Sequence, residues 1–217
     1  MRTDQKITVF LGPSFDFVEA QNYLKANFIP PAKRGDFRKF CLDSHTVVVL
    51  IDGEMIFGAP PSPQELLDVM ASGVHLFGAA SLGALRGVEL RDYGFKASGW
   101  VYEEYLSGRV KHDDELLSIL HPETFLPLTV PLINIRYALS LMTSRYFLSV
   151  NSAQKFLGGC REIFFEDRTE QEIKRLGLSL GLDERLVGEI FSSKYDIKKI
   201  DAIECLQKVK RFCEAQA

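Results

Sequence analysis

The first half of the chain contains three short apolar runs, each ended by small or turn-forming residues. The runs are ITVFLG (7–12), HTVVVLIDG (45–53) and VHLFGA (74–79). β-branched and aromatic residues in runs of this length favour buried strands. Segments with helical spacing of apolar residues follow them: PSFDFVEAQNYLKANF (13–28), PSPQELLDVMASG (61–73) and SLGALRGVELRDYG (81–94). This alternation predicts an α/β fold with a mainly parallel sheet and flanking helices.

Two serines mark expected helix starts in this half. Ser14 follows the first run and a proline, so it is a candidate N-cap for the segment behind it. Ser62 is followed three residues later by Glu65, the spacing of a capping box. From about residue 99 onward the periodicity is helical and no convincing strand is found. We therefore expect an α/β core over residues 1–120 and an all-helical extension over residues 121–217, packed on the core.

Composition excludes several classes of function. The net charge of −3 comes from 26 basic and 29 acidic residues, which gives no electrostatic footprint for nucleic acid or an anionic membrane. The first ten residues are too charged for a signal peptide, and no uninterrupted apolar run of about 18 residues exists. Cys41, Cys160, Cys205 and Cys213 form no CxxC pair. A reduced, cytoplasmic protein is the simplest interpretation.

Three loops are predicted at the carboxyl edge of the sheet, where reactive groups collect in open parallel sheets. They are GPS (12–14), DGE (52–54) and GAAS (78–81). Ser81 stands between small residues at a sharp strand-to-helix turn, which can project a hydroxyl above the sheet. The amides at the helix start near Leu82 could then stabilise a developing oxyanion. From this stretch alone Ser81 is more simply an ordinary helix cap, the commonest use of such a serine, and position cannot separate the two because capping and nucleophilic serines occupy the same place.

A nucleophilic serine needs a base, and the histidines are poor candidates by local context. His45 opens a predicted strand and His75 lies inside one. His112 and His121 flank a helical segment whose acidic residues Asp113–Glu115 are more simply its cap and first turn. The acidic stretch is expected to be exposed and could meet a basic partner surface. Because this spacing fits no compact metal motif, no metal site is predicted.

Lysine is the other candidate base. The segment PPAKRGDF (30–37) combines two stiffening prolines with Gly35 in a tight turn, and it places Lys33 beside Arg34. A lysine acts as a base only when it is neutral, and a neighbouring cation or burial favours that form. The alternative is a solvated basic turn with a contact between Arg34 and Asp36.

Taken together, five segments resemble the TfuA-like proteins, partners of YcaO enzymes in peptide backbone thioamidation. They are VFLGPS (9–14), PPAKRGD (30–36), IDG (51–53), GAASLGALRGVEL (78–90) and YEEYLSGRVKHDDE (102–115). The resemblance covers roughly the first 120 residues, and the C-terminal helices carry no motif of the family.

The resemblance implies a protein that supplies sulfur to a YcaO enzyme, which replaces an amide oxygen of a substrate peptide or protein by sulfur. It implies hydrolysis of the thiocarboxylated C-terminus of a ubiquitin-like sulfur carrier of the ThiS type, without a cofactor. The hydrolase-like pair of the family corresponds to Ser81 as nucleophile and Lys33 as base. The expected substrate-binding and oxyanion-stabilising residues are Gly12, Ser14, Arg34, Asp52, Gly78, Leu82 and Arg86.

Three points stay open at the level of sequence. Arg86 could bind the substrate, or it could form an ion pair with Glu89 or with Asp52. Gly12, Gly53 and Gly78 could line a narrow channel for the carrier's flexible tail. The protein could also be a non-catalytic adaptor that recruits the carrier and the peptide to the YcaO enzyme, or a generic acyl hydrolase acting on small esters or thioesters.

Overall fold

A five-stranded parallel sheet forms the centre of the first half of the chain. The computed structural model describes residues 6–40, 46–121, 127–145 and 147–216. The strands are β1 (Ile7–Phe10), β2 (Asn27–Ile29), β3 (Val47–Leu50), β4 (His75–Gly78) and β5 (Lys96–Ala97). Their order is β2-β1-β3-β4-β5, and all four neighbouring pairs are parallel. The order reverses between β1 and β3, and at such a reversal doubly wound sheets bind ligands.

The described helices follow the predicted pattern in most of the chain. They are α1 (Phe17–Ala20), α2 (Pro63–Ala71), α3 (Leu82–Leu90), α4 (Trp100–Leu106), α5 (Leu132–Ser144), α6 (Val150–Glu162), α7 (Glu170–Ser179), α8 (Glu184–Glu189) and α9 (Ile197–Glu214). Short 3₁₀ helices span Asp36–Phe40, Arg91–Tyr93, Asp113–Leu116 and Ser193–Tyr195. Beyond β5, every secondary-structure element that the structure describes is an α-helix or a 3₁₀ helix. The predicted fold class is therefore confirmed, including the helical C-terminal region.

The predicted helix over residues 13–28 is wrong for most of its length. Only Phe17–Ala20 is helical, and its N-cap is Asp16, whose carboxylate accepts the Glu19 N–H at 2.8 Å. Residues Asn27–Ile29 instead form β2, an edge strand paired with β1. β2 and the two-residue strand β5 are too short to give a readable alternation, so the sequence pattern does not predict either of them.

The sheet is buried on both faces, as parallel sheets generally are. Val47, Val49 and Ile51 belong to one apolar cluster, whereas Val48 and Leu50 belong to a second cluster with residues of α2 and α3. Helix α9 contributes four fully buried residues at helical spacing to the first cluster: Ala202, Cys205, Leu206 and Val209. The last helix of the chain therefore covers one face of the sheet.

The chain divides into two compact units, and the division differs from the expected boundary at residues 120–121. The first unit runs to Lys111 and also includes Lys198–Ala217, and the second is His112–Ile197. The second unit has its own apolar core, formed by α5 to α8 around Phe156, Ile135 and Ile173. Helix α9 thus belongs to the same unit as the sheet.

Some predictions concern residues outside the described ranges or remain without a structural test. His45 and Cys41 lie outside the described residues. The described cysteines, Cys160, Cys205 and Cys213, are free, and burial raises the pKa of the Cys160 and Cys205 thiols to about 12. In the described ranges, no helix combines the length and the apolar character that crossing a bilayer requires.

Asp201 connects α9 to the start of α4. Its carboxylate accepts the backbone N–H groups of Trp100 at 2.9 Å and Val101 at 2.8 Å, and its residue surface is 1% exposed. Burial raises the pKa of Asp201 to about 7, although the two backbone hydrogen bonds act in the opposite direction. Asp201 binds its proton more tightly in the folded protein than in the unfolded chain, so ionisation of Asp201 opposes folding.

We predict that Asp201→Asn removes a pH-dependent loss of stability. The contribution of Asp201 is fully present below about pH 4 and is lost as the pH rises to about 7. The free energy of unfolding of the natural protein, minus that of the variant, should fall by roughly 3 kcal/mol over this range. Urea unfolding of both proteins between pH 4 and pH 8 measures this difference. A difference that stays constant or grows with pH would contradict the prediction.

Candidate active site

The buried carboxylate of Asp52 holds the loop that follows β1 against the end of β3. Its Oδ2 accepts the N–H groups of Gly12 at 2.9 Å and Ser14 at 3.1 Å. Its Oδ1 accepts the Ser14 hydroxyl at 2.6 Å, and both residues are at most 2% exposed. Ser14 is therefore a partner of Asp52 and does not cap α1. The Gly12 amide is already bonded, so an oxyanion could use it only after this bond breaks.

On the Cβ side of Gly12, Gly53 and Gly78, where a channel for the carrier's tail was expected, neighbouring groups fill the space. A Cβ atom at Gly12 would collide with Pro31, and one at Gly53 would collide with Leu82. At Gly78 a Cβ would lie 2.6 Å from the Phe95 ring. These glycines thus allow close approach of neighbouring side chains, and the space beside them is filled.

Ser81 follows a strained turn between β4 and α3. Ala80 has φ 65°, the one non-glycine residue with positive φ among those described. The Ser81 N–H donates to the Ala79 carbonyl at 2.7 Å, which closes a three-residue turn around Ala80. Turns of this kind are rare and strained, and such strain concentrates at functional sites. Two residues further on, a Cβ at Gly83 would collide with the Leu50 carbonyl oxygen, so α3 starts directly against β3.

The hydroxyl of Ser81 does not cap α3, although Ser81 occupies the N-cap position. The Ser81 carbonyl accepts the N–H groups of Ala84 at 3.0 Å and Leu85 at 3.3 Å, as an N-cap should. Its side chain makes no cap hydrogen bond, and its ψ is −123°. Five other helices have a capping side chain on a residue with ψ between 134° and 158°: Asp16, Ser62, Ser149, Thr169 and Asp183. The capping interpretation of Ser81 is therefore not supported.

One backbone donor beside Ser81 is left for a ligand. The Gly83 amide donates to the Ile51 carbonyl at 3.2 Å. No acceptor for the Leu82 amide is found among the described residues. The first amides of a helix have no partner within the helix, so the Leu82 N–H can stabilise negative charge formed at Ser81. This fits the role expected for Leu82.

Lys33 lies at the same edge of the sheet but bonds to a carboxylate. Its Nζ is 3.1 Å from Glu54 Oε1, and its side chain is 62% exposed. Within the described ranges no hydrogen bond joins Lys33 to Ser81. A general base must lie within hydrogen-bond reach of the proton that it takes, so Lys33 must leave Glu54 and approach Ser81 before it can act as one.

The backbones of the two segments are nevertheless neighbours. Ala32 forms a parallel bridge with Gly53. The Ala32 N–H donates to the Asp52 backbone carbonyl at 3.0 Å, and the Glu54 N–H donates to the Ala32 carbonyl at 2.9 Å. Gly53 in turn lies against Leu82, the residue after Ser81. The fold thus brings the lysine turn, the end of β3 and the serine turn to one edge.

The two arginines differ in what the structure shows. Arg86 forms an ion pair with Glu89 at 2.6 Å and donates from Nε to the Pro61 carbonyl at 3.0 Å, so the ion-pair alternative with Glu89 describes its contacts. The Arg34 backbone N–H donates to Ala59 at 2.8 Å. The role of both arginines in binding a substrate stays a prediction.

The acidic stretch at residues 113–115 begins a helix with Asp113 exposed, as expected, but its last residue is buried. It belongs to a 3₁₀ helix in which Glu115 is 1% exposed. Its carboxylate pairs with Arg136 at 2.6 Å and Arg161 at 3.1 Å. In the described part of the chain, no cluster of three or more His, Cys, Asp or Glu residues has a geometry that could hold a metal ion.

His75 is placed away from this edge. It begins β4 and packs edge-to-face on Phe212 with ring centroids 4.9 Å apart. Burial, and then the charge of Lys96, lower the pKa of His75. A shallow cavity of about 240 Å³ lies beside His75 and Lys96, at the amino end of β4. It is therefore separate from the serine turn.

The fold and site define a class: an α/β protein with a serine, a buried aspartate and a lysine at the carboxyl edge of a parallel sheet. The model of the TfuA-like protein family matches residues 52–169, more than half of the 217-residue chain. The chain belongs to the TfuA-like protein family, as the sequence motifs predicted. Proteins of this family are generally associated with YcaO enzymes. The chain matches no curated protein.

The matched range differs from the segment that the motifs covered. It includes Asp52, Ser81 and Arg86, and it continues beyond residue 120 through α5 and α6. It does not include VFLGPS (9–14) or PPAKRGD (30–36). The family match therefore contains the serine turn, whereas Lys33 lies outside it and its role stays a prediction.

We predict that Asp52→Asn destabilises the protein more than Ser14→Ala. The asparagine places an NH₂ group where the carboxylate now accepts N–H and O–H donors, which should lower the free energy of unfolding by about 3 kcal/mol or more. Ser14→Ala removes one bond to the carboxylate and should cost about 1.5–3 kcal/mol. Urea unfolding measures both values. Equal stability of the asparagine variant and the natural protein would show that the loop does not depend on this charge.

Proposed function

We propose that this protein releases sulfide from the thiocarboxylated C-terminus of a ubiquitin-like sulfur carrier of the ThiS type and supplies it to a YcaO enzyme. That enzyme would use the sulfur for thioamidation of a peptide or protein backbone. Membership of the TfuA-like family supports the pathway. The observation that carries the hydrolytic step is the Ser81 turn, where a hydroxyl at an N-cap position makes no cap bond beside a strained Ala80.

The reaction begins with attack of Ser81 Oγ on the thiocarboxylate carbon. Lys33, once it has left Glu54 and released its own proton to solvent, takes the hydroxyl proton as a neutral amine. It passes that proton to the departing sulfur, so that the C–S bond breaks and hydrosulfide leaves. The carrier is then held as an ester on Ser81. Water hydrolyses this ester, which returns the serine hydroxyl and leaves the carrier with an ordinary carboxylate. The Leu82 N–H stabilises the oxyanion of each tetrahedral intermediate.

One observation favours the second candidate, a non-catalytic adaptor for the carrier, the peptide and the YcaO enzyme. Lys33 Nζ contacts Glu54 and does not contact Ser81 in the described structure. An adaptor needs no base, and it would keep its function with Lys33 in this ion pair. The two candidates therefore differ in whether Ser81 is needed for stimulation of the YcaO enzyme.

We predict that Ser81→Ala abolishes sulfide release and that Lys33→Ala lowers its rate by about 10²- to 10⁴-fold, the usual contribution of a general base. The measurement is sulfide release from a purified thiocarboxylated carrier, with carrier binding and thermal unfolding recorded for each variant. Ser72→Ala and Lys25→Ala are matched controls, since Ser72 ends α2 and Lys25 precedes β2. Both controls should release sulfide at the natural rate.

The same preparations separate the alternatives. Sulfide release by folded Ser81→Ala would refute the nucleophile, and stimulation of the YcaO enzyme by that variant would establish the adaptor. Turnover of small esters or thioesters without any carrier would identify a generic acyl hydrolase instead. Loss of release in both variants, with carrier binding retained, supports the Ser–Lys mechanism.

A further inference from the structure

The turn that carries Lys33 is held by an acidic residue of a neighbouring helix. Glu65 Oε1 accepts the N–H of Gly35 at 2.8 Å and that of Phe37 at 3.0 Å, and its Oε2 is 3.0 Å from the Gly35 nitrogen. Gly35 has φ 94°, so the turn depends on a conformation that a side chain would strain. Glu65 was expected to close a capping box, but its carboxylate is used on this turn instead.

The remaining amides of the turn are also bonded. The Lys33 N–H donates to the Asp36 carboxylate at 2.9 Å. The Arg34 N–H donates to the Ala59 carbonyl at 2.8 Å, and the Asp36 N–H donates to the Lys33 carbonyl at 3.1 Å. The backbone beneath Lys33 is therefore fixed, although the Lys33 side chain is largely exposed.

The same start of α2 is bonded to the helix that follows Ser81. Arg86 of α3, whose side chain is 12% exposed, donates from Nε to the Pro61 carbonyl at 3.0 Å and is held by Glu89 on its own helix. Ser62 caps α2 by accepting the Glu65 N–H at 3.2 Å. Residues 61–65 thus connect the segments that carry Ser81 and Lys33. Pro61 is bonded to Arg86 of the helix that follows Ser81, and Glu65 is bonded to the Lys33 turn.

We propose that Glu65 is a positioning residue for the Ser–Lys reaction: it fixes the backbone of the Lys33 turn at the sheet edge that carries Ser81, so that the lysine side chain can reach the serine once it leaves Glu54. This inference rests on the proposed function. A carboxylate suits the position because it accepts several N–H bonds at once and lies in the first turn of α2, where negative charge is favoured. Misplacement of a reacting group by about 1 Å can cost about 10²-fold in rate.

The test uses Glu65→Gln in the full-length protein. Glutamine keeps the volume but has one acceptor oxygen, so at least part of the bonding to Gly35 and Phe37 is lost. We expect kcat for sulfide release to fall about ten- to hundredfold while KM for the thiocarboxylated carrier changes less than about twofold. Asp68→Asn is the matched control, because it is the same chemical change one turn later on α2, where Asp68 pairs with Gln64. It should keep the natural kcat.

Two further readouts keep the result interpretable if Glu65→Gln is less stable. Hydrogen exchange should become faster at the amides of residues 35–37 in Glu65→Gln and stay unchanged there in Asp68→Asn. Gly35→Ala strains the same turn through its backbone, because Gly35 has a positive φ. If both changes act by displacing this turn, the double variant should lose less kcat than the two single losses combined.

The outcomes distinguish this inference from the proposed function. If the natural protein releases sulfide, Ser81→Ala does not, and folded Glu65→Gln keeps the natural kcat, the positioning role is refuted and the proposed function stands. If the natural protein releases no sulfide, the proposed function and the positioning role both fail. A selective loss of kcat with faster exchange at residues 35–37 supports the inference.

Discussion

The carboxylate of Asp52 is the constraint on which the carboxyl edge of this sheet depends. A buried charge must be compensated, and here the compensation comes from two backbone N–H groups and one hydroxyl of the loop after β1. The backbone carbonyl of the same residue accepts the Ala32 N–H. Asp52, which follows β3, therefore fixes both the loop after β1 and the segment that leads to the lysine turn.

Polar groups at this edge are largely bonded to the protein itself. The Glu65 carboxylate accepts backbone N–H groups of the lysine turn. Arg86 forms an ion pair with Glu89 and donates to the Pro61 carbonyl, and Lys33 forms an ion pair with Glu54. By contrast, no hydrogen bond of the Ser81 hydroxyl is found in the described ranges. A hydroxyl at the start of a helix normally contributes to stability as a cap. At Ser81 that contribution is absent and Ala80 is strained, a combination expected where function and not stability determines the local structure.

Local pattern was sufficient for the elements with strong local signals. The three buried strands, the Ser62 cap and the helical second half could be predicted because each depends on neighbouring residues. The edge strand β2 could not, since three residues give no period and its pairing with β1 is a tertiary contact. The serine turn and its family could be found from small residues around Ser81. The bonds of Ser14 to Asp52, Glu65 to Gly35, and Glu54 to Lys33 join residues about 20 to 40 positions apart, and sequence spacing does not encode them.

Helix α9 has a consequence for how the chain folds. Its buried residues complete the apolar cluster on one face of the sheet. The strands β1 to β4 lie within the first 80 residues, so the helix that packs on this face follows them by more than 100 positions. Such long-range closure carries a loop entropy cost and slows folding. During synthesis, most of the helical unit is made before α9, so that face of the sheet stays uncovered until α9 emerges. Until α9 emerges, the apolar surface that it covers is open to aggregation and to binding by a chaperone.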